Sequence, residues 1–149
     1  MENYMEVKFK AISVNEAFAR VCVASFCLGL NPSIDELTDI KTAVSEAVTN
    51  CVVHAYPNGR GDVVMKCYIF DNEVRIEVCD NGIGIEDFEK AKEPFFTTKP
   101  TEERGGMGFA VMESFMDSVE LEKNGDCGLK VILTKKILRR KAVAVGEEC

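Results

Sequence analysis

Residues 44 to 55 read Val44-Ser45-Glu46-Ala47-Val48-Thr49-Asn50-Cys51-Val52-Val53-His54-Ala55, and their spacing decides how the rest of the chain is arranged. Glu46, Asn50 and His54 recur at every fourth residue. On a helix that interval stacks them along one stripe. Ile40, Val44, Ala47, Cys51 and Ala55 fall on the adjoining face at helical intervals, which suits a core. The segment predicts a helix with one buried face and a neighbouring edge that carries a carboxylate, an amide and the chain's single imidazole. A surface helix with a solvated polar edge gives the same pattern. The flanking sequence decides between the two.

Toward the N-terminus, Ser33 stands three residues before Glu36, and Asp35 shares that first turn. This is a capping box with acidic residues at the positive end of the helix dipole. It opens a helix from Ile34 to about His54 or Ala55, which Pro57-Asn58-Gly59 closes. Earlier still, Met5, Val7 and Phe9 alternate with Glu6, Lys8 and Lys10, the pattern of a short amphipathic edge strand. Ser13 and Glu16 repeat the capping-box spacing and predict a second helix. Its buried face is expected to be Ala17, Phe18, Val21, Cys22, Ser25 and Leu28, with Gly29 as the stop. Arg20 is a lone charge in this apolar run, as a snorkelling surface arginine would be.

Toward the C-terminus, Val63 to Phe70 and Val74 to Cys79 are rich in β-branched and aromatic residues and flank Asp71-Asn72-Glu73, which predicts a hairpin. The second strand runs into Asp80-Asn81-Gly82-Ile83-Gly84, and a short helix near Glu86 to Lys92 follows. Pro94 to Arg104 has no clear period and reads as a loop. Gly105-Gly106-Met107-Gly108 leads into another helix, and two strands around an Asn124-Gly125 turn complete the order. Hairpins with helices between them predict an α+β, two-layer sandwich, with helices on one face of a mostly antiparallel sheet. Residues 1–138 are expected to form one domain and residues 139–149 a frayed tail.

Composition narrows the classes. Hydrophobic residues make up 46% and charged residues 29%, as in a globular domain. A net charge of -7 argues against direct contact with nucleic acid, whose phosphates attract basic surfaces. The longest apolar stretch, Val21 to Leu30, is too short to span a bilayer, so no membrane contact is expected. The seven cysteines form no paired Cys-x-x-Cys, and with one histidine they offer no zinc ligand cluster. Their odd number, with no secretory signal at the N-terminus, predicts reduced thiols in the cytoplasm.

Chemistry concentrates around two glycine clusters. Gly82 and Gly84 follow an aspartate at a strand end, and Gly105, Gly106 and Gly108 precede a helix. Glycine lets a backbone approach a ligand closely, and helix N-termini favour phosphate. Neither cluster is a P-loop or a dinucleotide fingerprint. In order, Glu-x-x-x-Asn-x-x-x-His-Ala, Asp-x-Gly-x-Gly, a loop, and Gly-x-Gly before a helix resemble the GHKL ATP-binding fold of gyrase B subunits, MutL and histidine-kinase catalytic domains. Within it, the stretches Thr42 to Asn50, Pro94 to Pro100 and Gly106 to Asp117 resemble bacterial anti-sigma factors that are also serine kinases, most closely the sigma F type of spore formers, and the likeness extends from Phe18 to Lys135.

The resemblance implies an ATP pocket between helices and sheet, under a loop that acts as a lid. It makes Glu46 the general base, Asn50 the Mg²⁺ ligand and Asp80 the adenine-reading acceptor. Gly82 and Gly84 would lie against the base, and Gly106, Met107 and Gly108 against the phosphates. From the lid, Thr97, Thr98 and Lys99 would join the nucleotide and Arg104 would neutralise the γ-phosphate. Thr134 would sit near adenine, and Arg20 would face partners. The resemblance further implies a homodimer that holds a sigma factor away from RNA polymerase and phosphorylates a serine of a small anti-anti-sigma protein. For the sigma F type the compartment would be the forespore. The alternatives are a non-catalytic ATP-gated binding module and a stress-response (sigma B type) relative. Glu46 favours a kinase, since nucleotide binding alone needs no base beside the metal ligand.

Overall fold

The five stretches with strand character pair, without exception, antiparallel. They are β1 (Glu2–Lys10), β2 (Asp62–Phe70), β3 (Glu73–Asp80), β4 (Ser118–Asn124) and β5 (Gly128–Lys136). A computed structural model describes residues 2–57, 59–92, 108–125 and 128–138. The sheet order is β1-β2-β3-β5-β4, so β1 is an edge strand and β3 is central. Four helices complete the described chain: α1 (Val14–Cys27), α2 (Ile34–Asn50), α3 (Phe88–Ala91) and α4 (Phe109–Phe115).

Period-two alternation assigns each strand one face toward the helices. Met65 pairs with Val78, Val78 with Val131, and Leu133 with both Ile76 and Val119. All of these are buried in one core with Ile40, Val44, Ala47 and Val48 of α2. Burial of each such side chain contributes about 1.5–3 kcal/mol. Helix α2 is the keystone, in contact with α1 on one side and α4 on the other. Its predicted capping box forms: the Glu36 N–H donates to Ser33 Oγ at 3.0 Å, and the Ser33 N–H to Glu36 Oε1 at 2.9 Å.

Three expectations about α1 are corrected. The buried residues are Ala19, Val23 and Cys27, whereas Phe18, Val21 and Leu28 are exposed. This helix is apolar on two faces, and periodicity does not say which one meets the sheet. Ser13 makes no capping bond, because it already has helical dihedrals and the Glu16 carboxylate turns elsewhere, to the Ser45 hydroxyl and to Arg20. Gly29 does not stop the helix. The chain continues as a 3₁₀ turn, Leu28–Leu30, and Asn31 ends it in the left-handed region at φ 51°. Asparagine tolerates that region because its side chain bonds locally.

The end of the keystone helix also departs from expectation. Its α-helical ladder stops at Asn50, and Cys51–Ala55 form a π-helical turn. Single π turns cluster at functional sites, because the extra residue re-aims the side chains that follow.

Candidate functional site

Asp80 is in phase with Val74, Ile76 and Val78, so alternation along β3 carries a carboxylate onto the helix-facing side of the sheet. It is only 3% exposed. Opposite it stands one face of the last turn of α2 and the π turn: Ala47, Asn50, Cys51, His54 and Ala55. Between them lies a cleft, floored by Leu129 and Val131 of β5 and bounded by Ile83, Gly84 and Ile85.

A buried carboxylate needs partners. Asp80 Oδ1 accepts from the backbone N–H groups of Gly82 at 2.9 Å and Leu129 at 3.3 Å. Oδ2 lies 3.6 Å from the Cys51 thiol. Burial pushes the Asp80 pKa above the usual carboxylate value, and these three donors pull it partly back. The result is an acceptor held in an apolar cleft, with one oxygen committed to the backbone.

The loop after Asp80 is latched to the π turn. The Ile83 N–H donates to the Ala55 carbonyl at 2.9 Å. The Tyr56 hydroxyl donates to the Asp62 carbonyl at 2.7 Å and accepts from the Asn81 N–H at 2.8 Å. Asn124 Nδ2 donates to the Asp80 carbonyl at 2.8 Å. Gly82 packs so closely on Ala55 that a Cβ there would overlap the Ala55 carbonyl. Glycine at position 82 is thus required by close approach of the two segments.

Asn50 is 5% exposed, and its Nδ2 is buried without a hydrogen-bond partner. An unsatisfied buried polar atom costs about 1–3 kcal/mol, a cost that a ligand group meeting this amide would remove. The two ends of an amide exchange by a flip, so this position suits an oxygen turned toward a cation. One turn earlier, the half-buried Glu46 places its carboxylate against Gly108, where a Cβ would overlap it. Gly108 has φ 78° and opens α4. Glu46 of the stripe read from the sequence therefore stands at Gly108, and Asn50 shares the cleft with Gly84. His54, to which the sequence assigns no chemistry, is 6% exposed and lines the cleft.

Thr134 does not belong with this group. It pairs with Arg75 in a register that puts both on the sheet face away from the helices, and its hydroxyl meets that of Ser118. Val131 and Leu133 point inward, so a residue one position past Leu133 must point outward. The residues that line the cleft from β5 are Leu129 and Val131 instead. Arg20 lies on α1, half-exposed, and its guanidinium pairs with Glu16 at 3.2 Å. Thr97, Thr98, Lys99, Arg104, Gly106 and Met107 lie outside the described residues, as does the tail from 139. Sequence reasoning misses Cys51 and Tyr56 as site groups. Cys51 is visible as the residue after Asn50, but its interval reads only as core.

Among the described residues, no helix is long and apolar enough to cross a membrane. None of their His, Cys, Asp and Glu side chains form a cluster of three or more that could hold a metal ion.

Comparison with known proteins places this architecture. The histidine kinase-like ATPase domain family matches residues 10–135. The chain is 54% identical to the anti-sigma F factor of Caldanaerobacter subterraneus subsp. tengcongensis over 139 residues, 93% of this chain and 97% of that protein. It is 54% identical to the anti-sigma F factor of Clostridium acetobutylicum over 91% of this chain and 95% of that protein. Against the anti-sigma F factor of Bacillus licheniformis it is 48% identical, over 96% of this chain and 99% of that protein. Among solved structures, the RsbU and RsbW domains of a Mycobacterium tuberculosis protein match with a TM-score of 0.66 at 20% identity, over 91% of this chain and 32% of that one. The catalytic domain of the histidine kinase ThkA matches with a TM-score of 0.59 at 19% identity, over 89% of this chain and 96% of that one. These two likenesses concern the fold, which is that of the GHKL ATPase domains. By the match along its length and by its close relatives, the chain belongs to the histidine kinase-like ATPase domain family and, within it, to the anti-sigma F factors.

Proposed function

We propose that the cleft binds ATP, and that the protein uses it to phosphorylate a serine of a small anti-anti-sigma protein while also sequestering a sigma factor of the sigma F type. The observation that carries the nucleotide reading is Asp80, a buried carboxylate with one oxygen fixed by two backbone amides and the other beside the cleft. Such an acceptor suits the exocyclic amino group of adenine and repels a base that presents a carbonyl at that position. Asn50, whose Nδ2 is buried without a partner, would turn its amide oxygen to a Mg²⁺ held jointly with the phosphates. When bound, that ion supplies charge neutralisation on the phosphoryl group.

Glu46 is proposed as the base that accepts the serine hydroxyl proton. It stands one helical turn from Asn50 on the same rigid support, next to the start of α4. Gly82 and Gly84 are assigned to the base, and Gly106, Met107 and Gly108 to the phosphates. Thr97, Thr98, Lys99 and Arg104 complete the proposed nucleotide site from the intervening loop. Partner binding is assigned to α1. There Arg20 stands on a helix that also exposes Val14 and Val21, with Leu28 just beyond its end, an apolar set unusual for a surface left bare. A homodimer fits the same property.

The anti-sigma names of the relatives support the sigma-factor reading, and Glu46 supports a kinase over a passive ATP-gated clamp. Incubation of the full chain with Mg-ATP and a purified anti-anti-sigma protein is expected to yield phosphoserine on that protein, detected by mass spectrometry. Absence of transfer to any such protein, with ATP still bound, would leave the ATP-gated clamp as the better reading.

A further inference from the structure

Cys51 follows Asn50 directly and opens the π turn. It is 2% exposed, and it lines the cleft. Two acceptors stand within reach of its sulfur: the Ala47 carbonyl at 3.5 Å and Asp80 Oδ2 at 3.6 Å. Oδ1 of the same carboxylate is already engaged by Gly82 and Leu129. Beside Cys51, the buried and unpartnered Nδ2 of Asn50 is an independent sign that this wall receives a ligand.

We infer that Cys51 is a positioning residue for Asp80: its thiol donates to Oδ2 in the nucleotide-free protein and turns to the Ala47 carbonyl when a ligand N–H takes that oxygen. This rests on the reading of Asp80 as the acceptor for adenine. The thiol is suited to such an exchange. An S–H group is a weak donor that rotates freely about its C–S bond, so it yields Oδ2 at little cost and is not stranded. An alanine would leave Oδ2 without the thiol donor in the nucleotide-free protein. A donor to the ionised form holds a buried carboxylate ionised, and an ionised Oδ2 is free of a proton and can accept from the adenine amino group. The direction of the shifts agrees. Burial raises the Asp80 pKa and the Cys51 contact lowers it.

Among the described residues, the titratable groups around Asp80 are Cys51 and His54 of the π turn, Tyr56 just beyond it, and Cys79 next to it on β3. From β5 the contact is the Leu129 backbone amide. The test is calorimetric titration of the full chain with ADP from about pH 8 down to about pH 5, for the native protein, Cys51→Ala, Cys51→Ser and Asp80→Asn. At about pH 8, Cys51→Ala is expected to bind ADP within about threefold of native; toward the acid end of the series it is expected to be about fivefold weaker, a loss of ~1 kcal/mol. Its acid-side loss of affinity begins at higher pH than the native one. Cys51→Ser, which retains a donor, is expected to follow the native profile. His54 is common to all four proteins and cancels in the comparison.

The inference is overturned if the Cys51→Ala profile superimposes on the native one, if Cys51→Ala is weakened by one factor at every pH, or if Cys51→Ser behaves as Cys51→Ala. Native-like ADP binding by Asp80→Asn would instead remove the adenine reading itself, whatever the cysteine variants show.

Discussion

Asp80→Asn is expected to bind ATP on the order of 100-fold more weakly than the native protein, a loss of ~3 kcal/mol, while melting at the same or a higher temperature. The affinity loss has two parts. A charge-assisted hydrogen bond to the adenine amino group becomes a neutral one, and the amide N–H₂ of the variant stands where an acceptor is needed. The stability expectation follows from the sign of the pKa shift. Burial raises the folded-state value of Asp80 above its ordinary 3.8. A carboxylate with a raised folded pKa costs the fold nothing below the unfolded value. Its cost grows as pH rises through the window between the two values, and is fully present above the folded one. At neutral pH the native protein carries that cost, and the neutral amide removes it. The amide oxygen of the variant can still accept from Gly82 and Leu129, which keeps the loop in place. Calorimetry with ATP and a thermal melt on the same sample check both halves. Retained affinity would place adenine elsewhere, and a large drop in melting temperature would make Asp80 a structural residue first. A residue whose removal stabilises the fold while it abolishes binding is kept for function.

The second large effect is at Glu46. Glu46→Gln is expected to slow phosphoryl transfer to the anti-anti-sigma protein by about 10²–10⁴-fold, the range of a lost general base. ATP affinity is expected to stay within about threefold, since the change removes a proton acceptor and leaves the metal ligand and adenine acceptor untouched. Glutamine has the shape of glutamate, so its packing against Gly108 survives. Single-turnover transfer with radiolabelled ATP gives the rate, and calorimetry gives the affinity. Transfer at the native rate would remove Glu46 from the chemistry. Parallel loss of rate and ATP affinity would make it a binding residue.

Much of this site is legible in the sequence because two regular periods carry it. The four-residue spacing of Glu46 and Asn50 places them on one side of α2, with His54 beyond them in the π turn, and alternation in β3 carries Asp80 inward with Ile76 and Val78. Parity also excludes Thr134, since it follows the inward Leu133 by one residue. What periodicity cannot supply is a choice between equivalent faces. Helix α1 has apolar residues on two sides, and only the packing against α2 shows that Ala19, Val23 and Cys27 face inward. The capping spacing at Ser13 and Glu16 is met in sequence and unused in the structure, because Ser45 and Arg20 compete for the same carboxylate. The π turn has no local signature. It matters because it carries Cys51, His54 and Ala55 to the cleft, and the Ala55 carbonyl to the Ile83 N–H. Cys51 escapes a sequence reading for a related reason: a small apolar residue at a core interval is read as packing, and its contact with Asp80 depends on a residue 29 positions away.

The central claim is that the cleft between the π turn and the end of β3 recognises adenine through the Asp80 carboxylate. Parallel calorimetric titration of the native protein with ATP and GTP tests it most directly. The two nucleotides share their sugar and phosphates and differ at the base, where guanine presents a carbonyl oxygen in place of the adenine amino group. ATP is expected to bind, with GTP weaker by about 100-fold or more, since the carbonyl would face a buried carboxylate with no donor between them. Equal affinity for the two, or tighter binding of GTP, would contradict the claim.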